Sequence, residues 1–100
     1  MSGQNWVKRG SLEGTGADIT IHCGFKPYKV ELFNTDDLCS AVKTEDMVDD
    51  RAFKRVTDGT ATVPAGVLEL SDTGFVIKPD ADLNVAGETL HWVAYQAQND

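Results

Sequence analysis

The amino-acid sequence predicts an all-β fold, an antiparallel β-sandwich or jelly roll of about seven to eight short strands. Three observations carry this reading. Apolar and polar residues alternate with period two over most of the chain, the pattern of half-buried strands. Turn residues interrupt that alternation about every 8–12 positions. No regular helices fall between the strands, as a parallel α/β sheet would require.

The first alternating run covers residues 17–23. Ala17, Ile19, Ile21 and Cys23 share one face and Asp18, Thr20 and His22 the other, with Gly14, Gly16 and Gly24 at the ends. Lys26-Pro27 makes a break. Residues 28–33 then set Tyr28, Val30 and Leu32 opposite Lys29 and Glu31. Asn34-Thr35-Asp36-Asp37 is a turn cluster. The stretch 38–56 admits two readings. Leu38, Ala41, Val42 and Glu45 have helical spacing, with Asp36 or Asp37 as an N-cap. The alternative is a strand over 38–43 and an acidic loop through 45–50.

Asp58-Gly59 is the strongest hairpin signal, set between 52–57 and 60–63. Asp72-Thr73-Gly74 makes a second tight connection, between 67–71 and 75–78, with Phe75 and Ile77 on one face. Residues 79–87 form a long loop. The last strand, 88–95, carries Leu90, Trp92 and Ala94 on one face and Thr89, His91, Val93 and Tyr95 on the other. Residues 1–13 read as an N-terminal arm, 14–95 as the sandwich domain and 96–100 as a polar tail. The expected core is Ile19, Ile21, Val30, Leu32, Leu68, Leu70, Phe75, Ile77, Leu90 and Trp92.

One hundred residues fit one domain. A hydrophobic fraction of 41% with 25% charged residues is a globular balance and argues against wholesale disorder. No apolar run approaches the ~18 residues of a membrane span. Residues 1–10 lack the apolar stretch of a signal peptide, so no membrane partner is expected. A net charge of −7 repels phosphate backbones, so no nucleic-acid partner is expected. Cys23 and Cys39 read as buried free thiols, the commoner state in a cytosolic product, with a single disulfide as the alternative.

Sites for chemistry are sparse. His22 and Cys23 are neighbours on a strand and point to opposite faces, so they do not share a tetrahedral zinc. Asp80-Ala81-Asp82-Leu83-Asn84 opens like a calcium loop. Val85 stands where that loop needs Gly, and His91 where it needs Glu. An acidic turn is the favoured reading, and a looser calcium site the alternative. No nucleophile motif surrounds Ser2, Ser11, Ser40 or Ser71, and Gly10, Gly14 and Gly16 lack the Lys and helix of a phosphate loop. The chain is therefore expected to be a non-enzyme without cofactor or metal, a binding or structural module.

The aromatic residues say more. Trp92 is expected in the core. Trp6 and Tyr95 are candidate contact residues, since Trp and Tyr are enriched at interfaces. Val7, beside Trp6, and His91, on the face of Tyr95, complete the candidate interface.

Four blocks carry a family resemblance. They are Gly24-Phe25-Lys26-Pro27-Tyr28-Lys29-Val30, Ala52-Phe53-Lys54-Arg55-Val56-Thr57-Asp58-Gly59-Thr60, Ser71-Asp72-Thr73-Gly74-Phe75-Val76-Ile77, and the run from Asp80-Ala81-Asp82-Leu83-Asn84-Val85-Ala86-Gly87 into Glu88-Thr89-Leu90-His91-Trp92-Val93-Ala94. Together they resemble small virion proteins encoded by tailed bacteriophages and prophages. The resemblance covers most of the chain after Gly14. Residues 38–50 match no block. It implies a structural virion part, first of all a capsid decoration (cement) protein. Such a protein would sit on the outer capsid surface as a homo-oligomer, a trimer, against the major capsid protein, after synthesis in the host cytoplasm. Residues 1–10 would be a clamping arm anchored by Trp6. The alternative is a tail-fibre or spike module that binds a host receptor. The resemblance brings no catalytic motif.

Overall fold

Alternation of small and branched residues produces nine strands in a computed structural model, which describes residues 7–48 and 50–96. They are β1 (Val7–Glu13), β2 (Ile19–His22), β3 (Pro27–Asn34), β4 (Cys39–Thr44), β5 (Phe53–Arg55), β6 (Ala61–Thr62), β7 (Leu68–Leu70), β8 (Gly74–Ile77) and β9 (Thr89–Gln96). No helix forms among the described residues. Every pairing is antiparallel. Six strands make one sheet in the order β1-β9-β3-β4-β5-β6, and three make a second in the order β2-β8-β7. The two sheets pack as a β-sandwich.

Burial follows the period of two. In β3 the buried positions include Val30, Leu32 and Asn34, and in β9 Leu90 and Ala94. They meet Leu68, Phe75 and Ile77 of the smaller sheet, together with Val67 and Leu83 from connecting segments. Ile19, Ile21, Leu70 and Trp92 pack against this cluster while half-buried. Phe75 and Trp92 meet edge to face, with ring centroids 5.4 Å apart and planes at 70°. Leu83 and Ala94 join the expected core. So do Cys39, as its reading as a buried thiol expects, and Ala41 and Ala52, two small residues whose burial no hydrophobic run announced.

Three differences from the sequence reading matter. Residues 7–13, placed in the arm, form β1 and pair with β9 from Val7–Tyr95 to Glu13–Thr89. The ambiguous stretch after the Asn34 turn is a strand and not a helix. Asn34 Oδ1 accepts the backbone N–H groups of Asp36 and Asp37, each at 2.8 Å. This local turn takes the place of an Asp N-cap. Leu38 then adopts φ 55° and the chain enters β4. The third difference is Tyr28. The register of β3 on β9 shifts between Pro27 and Lys29, so Tyr28 turns outward and is 39% exposed.

Both predicted tight connections form. Gly59 has φ 89°, in the left-handed region open to glycine, and its N–H donates to Val56 O at 2.8 Å. At the second connection, Ser71 N donates to Gly74 O at 2.9 Å.

Candidate functional site

The six-stranded sheet has two unlike faces. Its inner face meets the core. Its outer face lies away from the second sheet, and its side chains form rows set by the register. Arg9, Val93, Glu31, Val42 and Phe53 lie in one row, and Ser11, His91, Phe33, Ser40 and Arg55 in the next. A third row holds Val7, Tyr95, Lys29 and Thr44. Val7 is 53% exposed, Phe33 39% and Phe53 36%. These open apolar positions make this face the candidate contact surface.

The predicted contact residues converge here. Val7 and Tyr95 are direct cross-strand partners, and His91 shares their face. Trp6 lies outside the described residues. Tyr95 donates its hydroxyl to Glu31 Oε1 at 3.1 Å, and Lys29 Nζ sits 3.3 Å from the other Glu31 oxygen. Lys29 also lies 5.2 Å from the centre of the Tyr95 ring, and Tyr28 packs against the same ring at 6.4 Å. Burial first, then the hydrogen bond and charge of Glu31, push the Tyr95 phenol up, and Lys29 pulls it back. The Glu31 hydrogen bond and the Lys29 contact hold Tyr95 in one orientation. At the far side, the Arg55 guanidinium lies 5.6 Å from the Phe53 ring.

Sequence reading missed Tyr28, Phe33, Val42 and Phe53 as members of this face, though it set Val93 there with His91 and Tyr95. For Phe33 the signal was present: a large apolar residue occupies a position that alternation assigns to the solvent side, beside Glu31 in β3. For Tyr28 there was none, since alternation sets it with Val30 and Leu32 and only the register shift turns it outward. Along β1 and β9, Arg9, Gly10, Ser11, His91, Trp92 and Val93 line a shallow depression of about 390 Å³. A Cβ on Gly10 would lie 2.9 Å from the Trp92 indole.

The acidic loop has a different use. Asp80 Oδ1 lies 2.8 Å from Lys54 Nζ and also accepts the N–H groups of Asp82 at 2.8 Å and Leu83 at 3.2 Å. Asp82 holds the same ammonium at 2.9 Å. Lys54 is 8% exposed and points inward from β5. Its ammonium occupies the centre of the acidic pair, where a calcium ion would have to sit. Asn84 Oδ1 accepts from Thr15 N and Gly16 N, and its amide donates to Ala17 O. Lys43, 2% exposed, donates to Met47 O at 3.1 Å and Arg51 O at 2.8 Å, fastening the neighbouring loop. Sequence reading assigned no inward role to either lysine. Among the described residues, no three His, Cys, Asp or Glu side chains gather as a metal site.

Cys23 and Cys39 are both buried free thiols. Cys23 donates to Phe25 O at 3.4 Å. Burial pushes the Cys39 thiol from its ordinary 9.0 up to about 11, with Asp82, Asp80 and Asp37 adding to the rise and Lys54 opposing it. Such a thiol stays protonated at neutral pH and is a poor nucleophile.

No family model matches the chain, and no curated protein or solved structure matches it.

Proposed function

We propose that this protein is a non-enzymatic attachment module that docks through the outer face of its larger sheet, and that it serves as a capsid decoration protein of a tailed bacteriophage. The observation that carries the attachment reading is the exposed apolar set Val7, Tyr28, Phe33 and Phe53 on one face of a chain whose net charge is −7. A face of that kind is kept against the cost of aggregation when a partner covers it. The virion assignment rests on the block resemblance and on the compact, acidic, all-β build. In the rival reading, a tail-fibre or spike module, the polar loop over residues 80–84 would recognise the receptor. Asp80 and Asn84 are engaged inside the fold, which favours the sheet face as the docking surface.

Cryo-electron microscopy of particles with and without this protein tests the reading. Loss of density from the outer shell in the deletion particles is the expected result. Loss from the tail with an unchanged head would overturn it. Phe33→Asp in the purified protein should abolish co-sedimentation with shells while the unfolding midpoint is retained.

A further inference from the structure

We propose that β1 pairs antiparallel with the β1 of a second copy of this chain, in the register that sets Ser11 against Ser11. This inference goes beyond the attachment reading and does not depend on it.

β1 is the outermost strand of the larger sheet, with β9 on its only paired side among the described residues. The direction of its main-chain groups follows from Gly14. Gly14 N donates to Glu88 O at 2.8 Å, and Gly14 O accepts from Gly87 N at 3.0 Å. Both groups therefore point toward the β9 side. In a strand these directions alternate. Lys8, Gly10 and Leu12 share the direction of Gly14. Arg9, Ser11 and Glu13 present their N–H and C=O groups to the open edge.

Charge then selects the partner and the register. The basic residues Lys8 and Arg9 lie at the start of β1 and Glu13 lies at its end. Antiparallel self-pairing about Ser11 sets Arg9 opposite Glu13 of the partner subunit, and Glu13 opposite Arg9 of the partner subunit. Both pairs fall on the outer face. Among the described residues neither Arg9 nor Glu13 has an ion-pair partner. The same register joins the outward main-chain groups of Arg9, Ser11 and Glu13 to one another. It also places half-buried Leu12 beside Gly10 of the partner subunit, where no side chain obstructs it. A shift of one residue sets outward groups against inward ones. A shift of two sets Arg9 against Ser11 and leaves Glu13 opposite Val7. Charged edge residues normally discourage strand pairing. Here they favour this register, the one that sets each of them against an opposite charge.

The two-fold axis stands perpendicular to the sheet. The two large sheets become one, and their apolar faces look the same way. This edge builds a dimer, whereas the block resemblance implies a trimer.

Sedimentation velocity of the full chain over a wide concentration range tests the proposal. The mass should rise toward twice the 10.9 kDa monomer. Arg9→Glu and Glu13→Arg should each weaken the dimer about tenfold, and the double exchange should restore it. Ser11→Pro removes an outward N–H and should abolish the dimer with the monomer fold kept, as checked by its urea unfolding midpoint. If Ser11→Pro fails to fold, the charge exchange still decides. A monomer at every concentration, a three-copy mass, or a dimer indifferent to the charge reversals would overturn the proposal. Shell binding by a strictly monomeric protein would do so while leaving the attachment reading intact.

Discussion

Lys54 sits at an inward position of β5, and its surroundings determine its effect on stability. Burial pulls the pKa of an ammonium down. The hydrogen bonds and charges of Asp80 and Asp82 outweigh that pull, and the Lys54 pKa is raised above its ordinary 10.5. A raised folded-state pKa contributes stability that is fully present below 10.5 and is lost as pH rises through the folded value. The Cys39 thiol, raised from 9.0 to about 11, acts in the same direction from pH 9.0 upward. The urea midpoint should therefore fall on the alkaline side of pH 9.0. At pH 7, Lys54→Met should destabilise by about 3 kcal/mol, because it leaves the Asp80 carboxylate, 11% exposed, without its cation. Asp82, at 42% exposure, is hydrated, and Asp82→Asn should cost less than about 1 kcal/mol. The gap between wild type and Lys54→Met should narrow above pH 10.5. Equal losses for both variants at pH 7 would show that the buried pair is not the anchor.

Gly74 controls a whole element. It begins β8 opposite His22, and a Cβ there would run into the carbonyl oxygen of Ile21 and the backbone of His22. Backbone cannot swing aside as a side-chain tip can. Gly74→Ala should cost about 3 kcal/mol and act by parting β2 from β8. Hydrogen exchange would show lost protection at Ile19–His22, with the β3–β9 pairing kept. Protection retained across β2 would refute the argument. The sequence showed this connection because Asp72-Thr73-Gly74 is turn chemistry, local and readable, as is Asp58-Gly59. It showed the inner face of β9 because Leu90, Trp92 and Ala94 recur with period two. It did not show β1. That strand lies at an edge, only Leu12 of it packs on the core, and its exposed run of Lys8, Arg9 and Glu13 reads as an arm. β4 was ambiguous because helix and strand spacing fit the same residues. A long-range fact, the pairing of β4 between β3 and β5, resolves it. The Lys54–Asp80 contact is equally long-range, so the acidic turn was visible while its partner was not.

At the scale of the molecule, the proposed function gives the two faces of one sheet different duties, and substitutions should separate them. Trp92 points inward, packs edge to face on Phe75 and roofs Gly10. Phe33 points outward from the neighbouring strand, paired with His91 at one position's remove from Trp92. Trp92→Ala removes packing between the sheets and should cost about 3 kcal/mol, at the lower end for a large aromatic because the residue is half-buried. Phe33→Asp removes nothing from the core and should leave the unfolding free energy within about 0.5 kcal/mol of wild type, as for most surface changes. Its effect should instead fall on attachment. An attachment face needs binding lost without stability lost, and a core needs the reverse. If Phe33→Asp unfolds the protein as Trp92→Ala does, the outer face is structural and the attachment reading fails. If both variants fold and bind, neither face has the duty assigned to it. Only a crossed result, Phe33→Asp folded but unbound and Trp92→Ala destabilised, fits a sandwich that keeps its core on one side of a sheet and its partner on the other.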